Sequence, residues 1–251
     1  MAQRVHISVR AAAFAYVAFV IAALAALTAL ATGPGHRFGL WDYGFGFTLL
    51  GIAAWAGVAG ALLSLAAAAW ALRSAARRAL ALSIAGIVLG ALTFGVPWTQ
   101  LRYARSVPPI HDITTDTREP PEFVALLEAR RAAPNGAEYG GGQVAEAQHR
   151  GYPDIVPLTY AAPAAAAFER CLDAAHALGW EIAAADPKTL RIEATDRTLF
   201  FGFRDDIIIR ITPLDTASRV DVRSASRVGR SDLGANARRI RALFRQLERQ
   251  R

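Results

Sequence analysis

Arg77–Tyr103 reads RRALALSIAGIVLGALTFGVPWTQLRY, and its meaning decides the architecture of the whole chain. Inside it, Ala79–Trp98 carries no charged residue. At about 1.5 Å rise per residue that run matches a hydrocarbon core of roughly 30 Å. A single such run would describe a buried soluble helix equally well. Toward the N-terminus, however, Phe45–Leu72 and Ala11–Ala31 repeat the pattern, with only short polar stretches between them. Three in succession read as three transmembrane helices, the second long enough to tilt. Trp41, Tyr43, Trp98 and Tyr103 stand near the ends, where amphipathic rings favour the headgroup region.

Beyond Tyr103 the composition changes. The 251 residues are 53% hydrophobic with a net charge of +7, and mean hydropathy is +0.24 with a pI near 10.3. Such hydropathy excludes a disordered polar chain. Residues 1–101 hold six arginines and one acid, Asp42, for +5, and residues 102–251 hold 22 basic and 20 acidic residues, for +2. The expected division is a three-helix membrane anchor over 1–101, an extended linker over 102–120 and a soluble domain over 121–251. The lone cysteine, Cys171, allows no intrachain disulfide.

Arg4 and Arg10 ahead of an apolar run resemble a signal peptide, but the run exceeds the usual h-region of roughly 7–15 residues, which favours an uncleaved helix. Arg4 and Arg10 in the tail and Arg73, Arg77 and Arg78 in the second loop outweigh Arg37 in the first loop with Arg102 and Arg105 at the exit of the third run, five against three. The positive-inside rule then puts the N-terminus in the cytoplasm of a bacterium and the C-terminal domain outside its inner (plasma) membrane, periplasmic or extracellular. No Asp, Glu, Lys, Arg or His interrupts the three runs, so they read as an anchor, not a conduit. Gly86-x-x-x-Gly90, with Gly57 and Gly60, would let helices approach closely, either within the chain or in self-association through Gly86 and Gly90.

In the soluble half, Pro108-Pro109 and Pro120-Pro121 bracket a polar stretch that reads as the linker. Residues 122–131 read as a short helix, and Gly140-Gly141-Gly142 as a mobile stretch without the Lys-Ser/Thr of a phosphate loop. Strands are expected over 156–160, 180–185, 190–195, 199–203, 207–212 and 219–226, with a tight turn at Asp196-Arg197. Pro163 starts a helix that Gly179 stops, with Phe168, Cys171, Leu172 and Ala175 as its apolar stripe. Cys171 on that stripe reads as a core residue. A last helix over 232–249, N-capped by Ser231, presents Leu233, Ala237, Ile240, Phe244 and Leu247. The fold class is α+β: three N-terminal transmembrane helices, then a two-layer soluble domain whose mainly antiparallel sheet packs on helices.

The sheet's other face is charged. With Arg210 opposite Asp221 and Ile208 opposite Arg223, the residues Asp205, Asp206, Arg210, Asp221 and Arg223 would gather with Arg191 and Glu193. They form the candidate binding surface, for an anionic lipid headgroup, a peptide or an envelope protein; the plainer reading is a solvated face with weak ion pairs. Residues 219–251 carry a local +7, but an outside location excludes nucleic acid and leaves lipid headgroups or a merely solvated helix face. His111 and Asp112, near Asp116, are weak catalytic candidates, and a loop His-Asp pair is more often a hydrogen-bonded turn. The histidines have no metal-pair spacing and no nucleophile-elbow, zincin or Walker pattern occurs, so no metal or cofactor is expected.

Several separated stretches, in order, carry a resemblance: Pro109–Asp116, Tyr152–Ile155, Leu178–Trp180, Arg191–Thr195, Phe201–Asp206 and Asp221–Gly229 running into Ser231–Gly234 and Asn236. Over residues 109–250 the chain resembles the bacterial family known as domain of unknown function 1499, whose members often carry membrane segments ahead of the domain. The family implies no activity, substrate or catalytic residue. The expected function is therefore a non-enzymatic binding or envelope-associated module on a membrane anchor; the alternative is an extracytoplasmic, hydrolase-like enzyme using the loop and sheet-face His and Asp residues.

Overall fold

The structure is a computed structural model that describes residues 2–249, with side chains from residue 9 onward. Arg4 and Arg251 therefore lie outside the described side chains. The chain forms two compact units: residues 1–102 together with Phe200–Gly202, and Tyr103–Leu199 together with Phe203–Arg251.

The first unit holds three helices, α1 (Ala2–Arg37), α2 (Tyr43–Arg73) and α3 (Arg77–Ala104). All three are long and apolar enough to cross a membrane. Asp42 caps α2, its carboxylate accepting from the Phe45 N–H at 3.0 Å. Their contacts are made by small residues. A Cβ on Gly57 would fall 2.9 Å from Thr93 Cβ in α3, and one on Gly60 2.9 Å from Ala22 Cα in α1. Gly86 lies against Ser64, and Gly90 against the Gly57 carbonyl and Ala61. Where lipid tails are as apolar as leucine, such close approach replaces hydrophobic burial as the adhesive. Gly86 and Gly90 thus pack on α2 of the same chain.

The second unit is built on a six-stranded antiparallel sheet: β1 (Asp112–Thr114), β2 (Leu158–Tyr160), β3 (Glu181–Asp186), β4 (Arg191–Arg197), β5 (Arg204–Pro213) and β6 (Ser218–Ser226). Their order is β1-β6-β5-β4-β3, and β2 shares the β6 edge with β1, pairing at Ser218–Val220 while β1 pairs at Arg223–Ala225. The helices are α4 (Leu127–Arg131), α5 (Gly141–Gly151), α6 (Ala164–Ala177) and α7 (Ala235–Glu248). Period-two alternation sends Ile192, Ala194, Ile207, Ile209, Ile211, Val220 and Val222 to one face, where they bury against Phe168, Cys171 and Ala175 of α6 and Ile240, Leu243 and Leu247 of α7. Each Val, Leu, Ile or Phe among them contributes about 1.5–3 kcal/mol on full burial.

The register matches expectation: Arg210 faces Asp221, Ile208 faces Arg223, and Leu214–Ala217 forms the turn. Several local readings are corrected. Residues 199–203 are not a strand but the loop joining β4 to β5, closed by the Thr198 N–H donating to the Phe203 carbonyl; Asp196-Arg197 continue β4 instead of turning. Within the expected linker, Asp112–Thr114 form β1, because the outer edge of β6 needs a partner. The glycine stretch opens α5, whose buried Gln148 amide exchanges hydrogen bonds with the Thr114 N–H and carbonyl, covering the free edge of β1. Of the helix expected over 122–131 only Leu127–Arg131 is helical. At α7 it is Asp232, not Ser231, whose carboxylate accepts from the Gly234 and Asn236 N–H groups at 2.8 and 2.7 Å.

Cys171 is fully buried beneath the sheet, and burial pushes its thiol up to about 12. A water-soluble maleimide should leave the folded chain unlabelled at this single thiol and modify it only after denaturation. Labelling of the native chain at the rate of an exposed cysteine would overturn the core placement.

Candidate functional site

The second face of the sheet is neither open nor solvated. Residues 121–139 run across it, with Phe123 and Leu126 packing on Ile208 and Ala225. Glu193 of β4 holds this segment by its backbone: Oε1 accepts from the Val124 and Ala125 N–H groups at 2.8 and 3.1 Å, and Oε2 from the Leu126 N–H at 2.9 Å. A buried carboxylate thus takes the orphan N–H groups that lead into α4.

Charges trapped under that cover are paired almost without exception. Asp112 receives Arg223 through both oxygens, from Nε at 3.0 Å and Nη2 at 2.7 Å. Arg223 also donates to the Pro121 and Ala137 carbonyls and lies against the Phe123 and Tyr139 rings. Asp206 takes Arg130 at 3.2 Å, Arg227 through both oxygens at 2.9 Å and the Thr195 hydroxyl at 2.8 Å. Asp221 is shared by Arg210 and Arg219, which also meet on Asp116.

Asp205 does not belong to this group. It lies one residue from Asp206, so strand alternation turns it to the opposite face, where Arg239 of α7 donates to it at 2.8 Å beside Asp196, Ser224 and Asn236. Of the five residues expected to form a binding surface, Asp206, Arg210, Asp221 and Arg223 are therefore brought together and Asp205 is not. Asp205, Asp206, Asp221 and Arg223 are buried, and only Arg210, with 27% of its side chain exposed, reaches the surface. Asp112 is held by Arg223, and the shielded His111 Nδ1 meets no hydrogen-bond partner among the described residues. Among the described residues no group of three or more His, Cys, Asp or Glu side chains could hold a metal ion.

What is open is a cleft of about 430 Å³ beside Arg210, lined by Arg118, Glu119, Pro120, Glu122, Arg191 and Arg210. Arg191 of β4 lies directly opposite Arg210 of β5. The Nε–H groups of both are shielded from solvent and meet no acceptor among the described residues. Sequence reasoning placed Arg191 near this position but missed Arg118, Glu119 and Glu122. Their loop folds back only because Asp116 accepts from the Arg118 and Glu119 N–H groups, both at 3.0 Å. A legible signal for the cover was Ile208, an isoleucine on an otherwise charged face.

The chain matches the family described as "Protein of unknown function (DUF1499)" over residues 112–247, more than half of its length. The chain belongs to this family. No curated protein matches it. The stretches that carried the resemblance, Phe201–Asp206 and Asp221–Gly229 above all, hold several of the residues of the internal ion pairs, namely Asp205, Asp206, Asp221, Arg223 and Arg227. Those residues hold this chain's domain together; of the cleft residues, Arg191 lies in the stretch Arg191–Thr195, and Arg118, Glu119, Glu122 and Arg210 stand outside the stretches.

Removing one partner of a buried pair strands the other. Arg223→Ala should cost about 3–5 kcal/mol, read by chemical denaturation, whereas the double change Arg223→Met with Asp112→Leu should recover most of it. An Arg223→Ala chain as stable as the unaltered one would refute the pairing.

Asp116 supplies a pH test. Burial pushes its carboxyl up, but the Glu119 and Arg118 N–H groups and the Arg219 and Arg210 guanidiniums outweigh this and hold it below the usual 3.8. A depressed carboxylate contributes stability above its unfolded pKa and loses it as pH falls through the folded one. Between about pH 5 and pH 3 the Asp116→Asn chain should thus lose less stability than the unaltered chain. Parallel losses would take Asp116 out of the acid response.

Proposed function

We propose that the protein is an integral inner-membrane protein of a bacterium, with its N-terminus in the cytoplasm and its α+β domain outside, acting as a non-enzymatic binding module of the cell envelope. The single observation that carries this reading is where the charged groups are spent. The acids nominated for chemistry, Asp112, Asp205 and Asp221, are consumed in internal ion pairs, and what the domain presents in a concave surface is an arginine-lined cleft. A domain so arranged is suited to holding a ligand and carries no poised acid–base pair.

Orientation is supported by arginine placement, with Arg73, Arg77 and Arg78 in the second loop against Arg37 in the first. An anchor role is supported by the lack of any Asp, Glu, Lys, Arg or His in the three apolar runs.

Two measurements test the reading. Phosphatase and fluorescent reporters fused after Arg78 and after Arg251 should be, respectively, cytoplasmic and extracytoplasmic; a cytoplasmic C-terminus overturns the localisation. A photo-crosslinking residue in place of Pro120, on the cleft wall, should capture a partner in living cells, and Arg210→Ala should remove that adduct while the protein stays folded. An adduct indifferent to Arg210 would sink the site.

A further inference from the structure

The pairing of Arg191 with Arg210 is costly as it stands. Like charges directly opposite on neighbouring strands, with Cβ atoms about 5 Å apart, repel one another. Arg210 is compensated by Asp116 and Asp221, at 3.2 Å each. Arg191 makes no ion pair among the described residues, and its Nε–H is a shielded donor without an acceptor. An unpaired guanidinium facing a like charge is a place where an anion would relieve the repulsion. Over this pair lies the cleft, with the Arg118 side chain as a third cation on its wall.

Three guanidiniums around one concavity suit a tetrahedral oxyanion better than a carboxylate. A carboxylate presents its two oxygens in one plane, whereas a tetrahedral phosphate directs its non-bridging oxygens, three in a monoester and two in a diester, out of a single plane toward forks on different sides of a concavity. The same wall also carries Glu119 and Glu122, both exposed and neither in an ion pair among the described residues. Formally the lining is +3 from Arg118, Arg191 and Arg210 and −2 from Glu119 and Glu122. A free dianion would meet those two carboxylates at a cost. A phosphate that carries an ammonium group a few bonds away would meet both halves of the wall favourably.

We propose that this cleft binds a phosphate–ammonium zwitterion, its phosphate on Arg191, Arg210 and Arg118 and its ammonium on Glu119 and Glu122. The inference deepens the binding-module reading and rests on it. The chemistry is that of a phosphoethanolamine group, which occurs free or as the headgroup of a phospholipid.

The test titrates the full chain, purified in a non-ionic detergent, with O-phosphoethanolamine, inorganic phosphate and ethanolamine by calorimetry. O-phosphoethanolamine should bind saturably and at least tenfold more tightly than either half alone. Arg191→Gln should weaken it at least tenfold while the unfolding midpoint holds or rises, since that change removes a like-charge contact. Glu119→Gln with Glu122→Gln should erase the preference over inorganic phosphate without abolishing phosphate binding.

Absence of saturable binding, binding untouched by Arg191→Gln, or inorganic phosphate binding as tightly as O-phosphoethanolamine would each overturn the proposal. The source is read by repeating the titration in nanodiscs. Loss of O-phosphoethanolamine binding in phosphatidylethanolamine discs but not phosphatidylcholine discs assigns the lipid headgroup, and equal binding in both assigns the free zwitterion. Should titration fail while the Arg210-dependent crosslink at position 120 persists, the ligand class falls and the binding module stands.

Discussion

Covering a charged sheet face is the constraint on which the rest of the soluble domain depends. Once residues 121–139 lie across β4, β5 and β6, every ion beneath them leaves water, at several kcal/mol each unless a partner stands within hydrogen-bond reach. The partners come from far along the chain. Asp112 of β1 reaches Arg223 of β6, Arg130 of α4 reaches Asp206 of β5, and Glu193 of β4 takes three backbone N–H groups of the cover itself. Because each pair joins segments distant in sequence, the network specifies where the cover lies as much as it stabilises it. Ile208 and Ala225 supply the small apolar contact, with Phe123 and Leu126, that makes covering worthwhile at all.

That constraint also sorts structural charge from charge open to a ligand. A buried aspartate with both oxygens on one guanidinium is committed to that pair and shielded from an incoming ligand. Arg191 differs in kind. It stands on the same face at the rim of the cover, beside another arginine, with its Nε–H unmet. The functional reading follows from this difference and not from the abundance of arginine, which runs through the whole C-terminal segment.

The three-helix unit obeys another logic. Its helices are long and apolar enough to cross a bilayer, where apolar character would not by itself hold them to each other. Gly57, Gly60, Gly86 and Gly90 do so by letting backbone meet backbone and small side chains. Spacing alone leaves such a motif open between folding and self-association; the positions of Ser64, Ala61 and Ala22 opposite these glycines give them to the fold.

Local pattern was enough wherever one residue's neighbours decide its state. The three apolar runs, the helix between Pro163 and Gly179, the alternation of Leu190–Thr195 and Ile207–Thr212, and the pairing of Arg210 with Asp221 were all legible, because hydrophobic period and turn chemistry act over a few residues. The face to which Asp205 belongs was legible in principle by parity with Asp206. The strand status of Asp112–Thr114, the helix opened by Gly141 and the fate of the charged face were not, because each depends on a partner more than thirty residues away: β6 for the first, the Thr114 edge for the second, and residues 121–139 for the third. The sequence by itself determined three helices long and apolar enough to cross a membrane, an α+β domain and which residues carry charge. Only the tertiary structure decided which of those charges are buried and paired, since burial is a property of what else arrives at the same place.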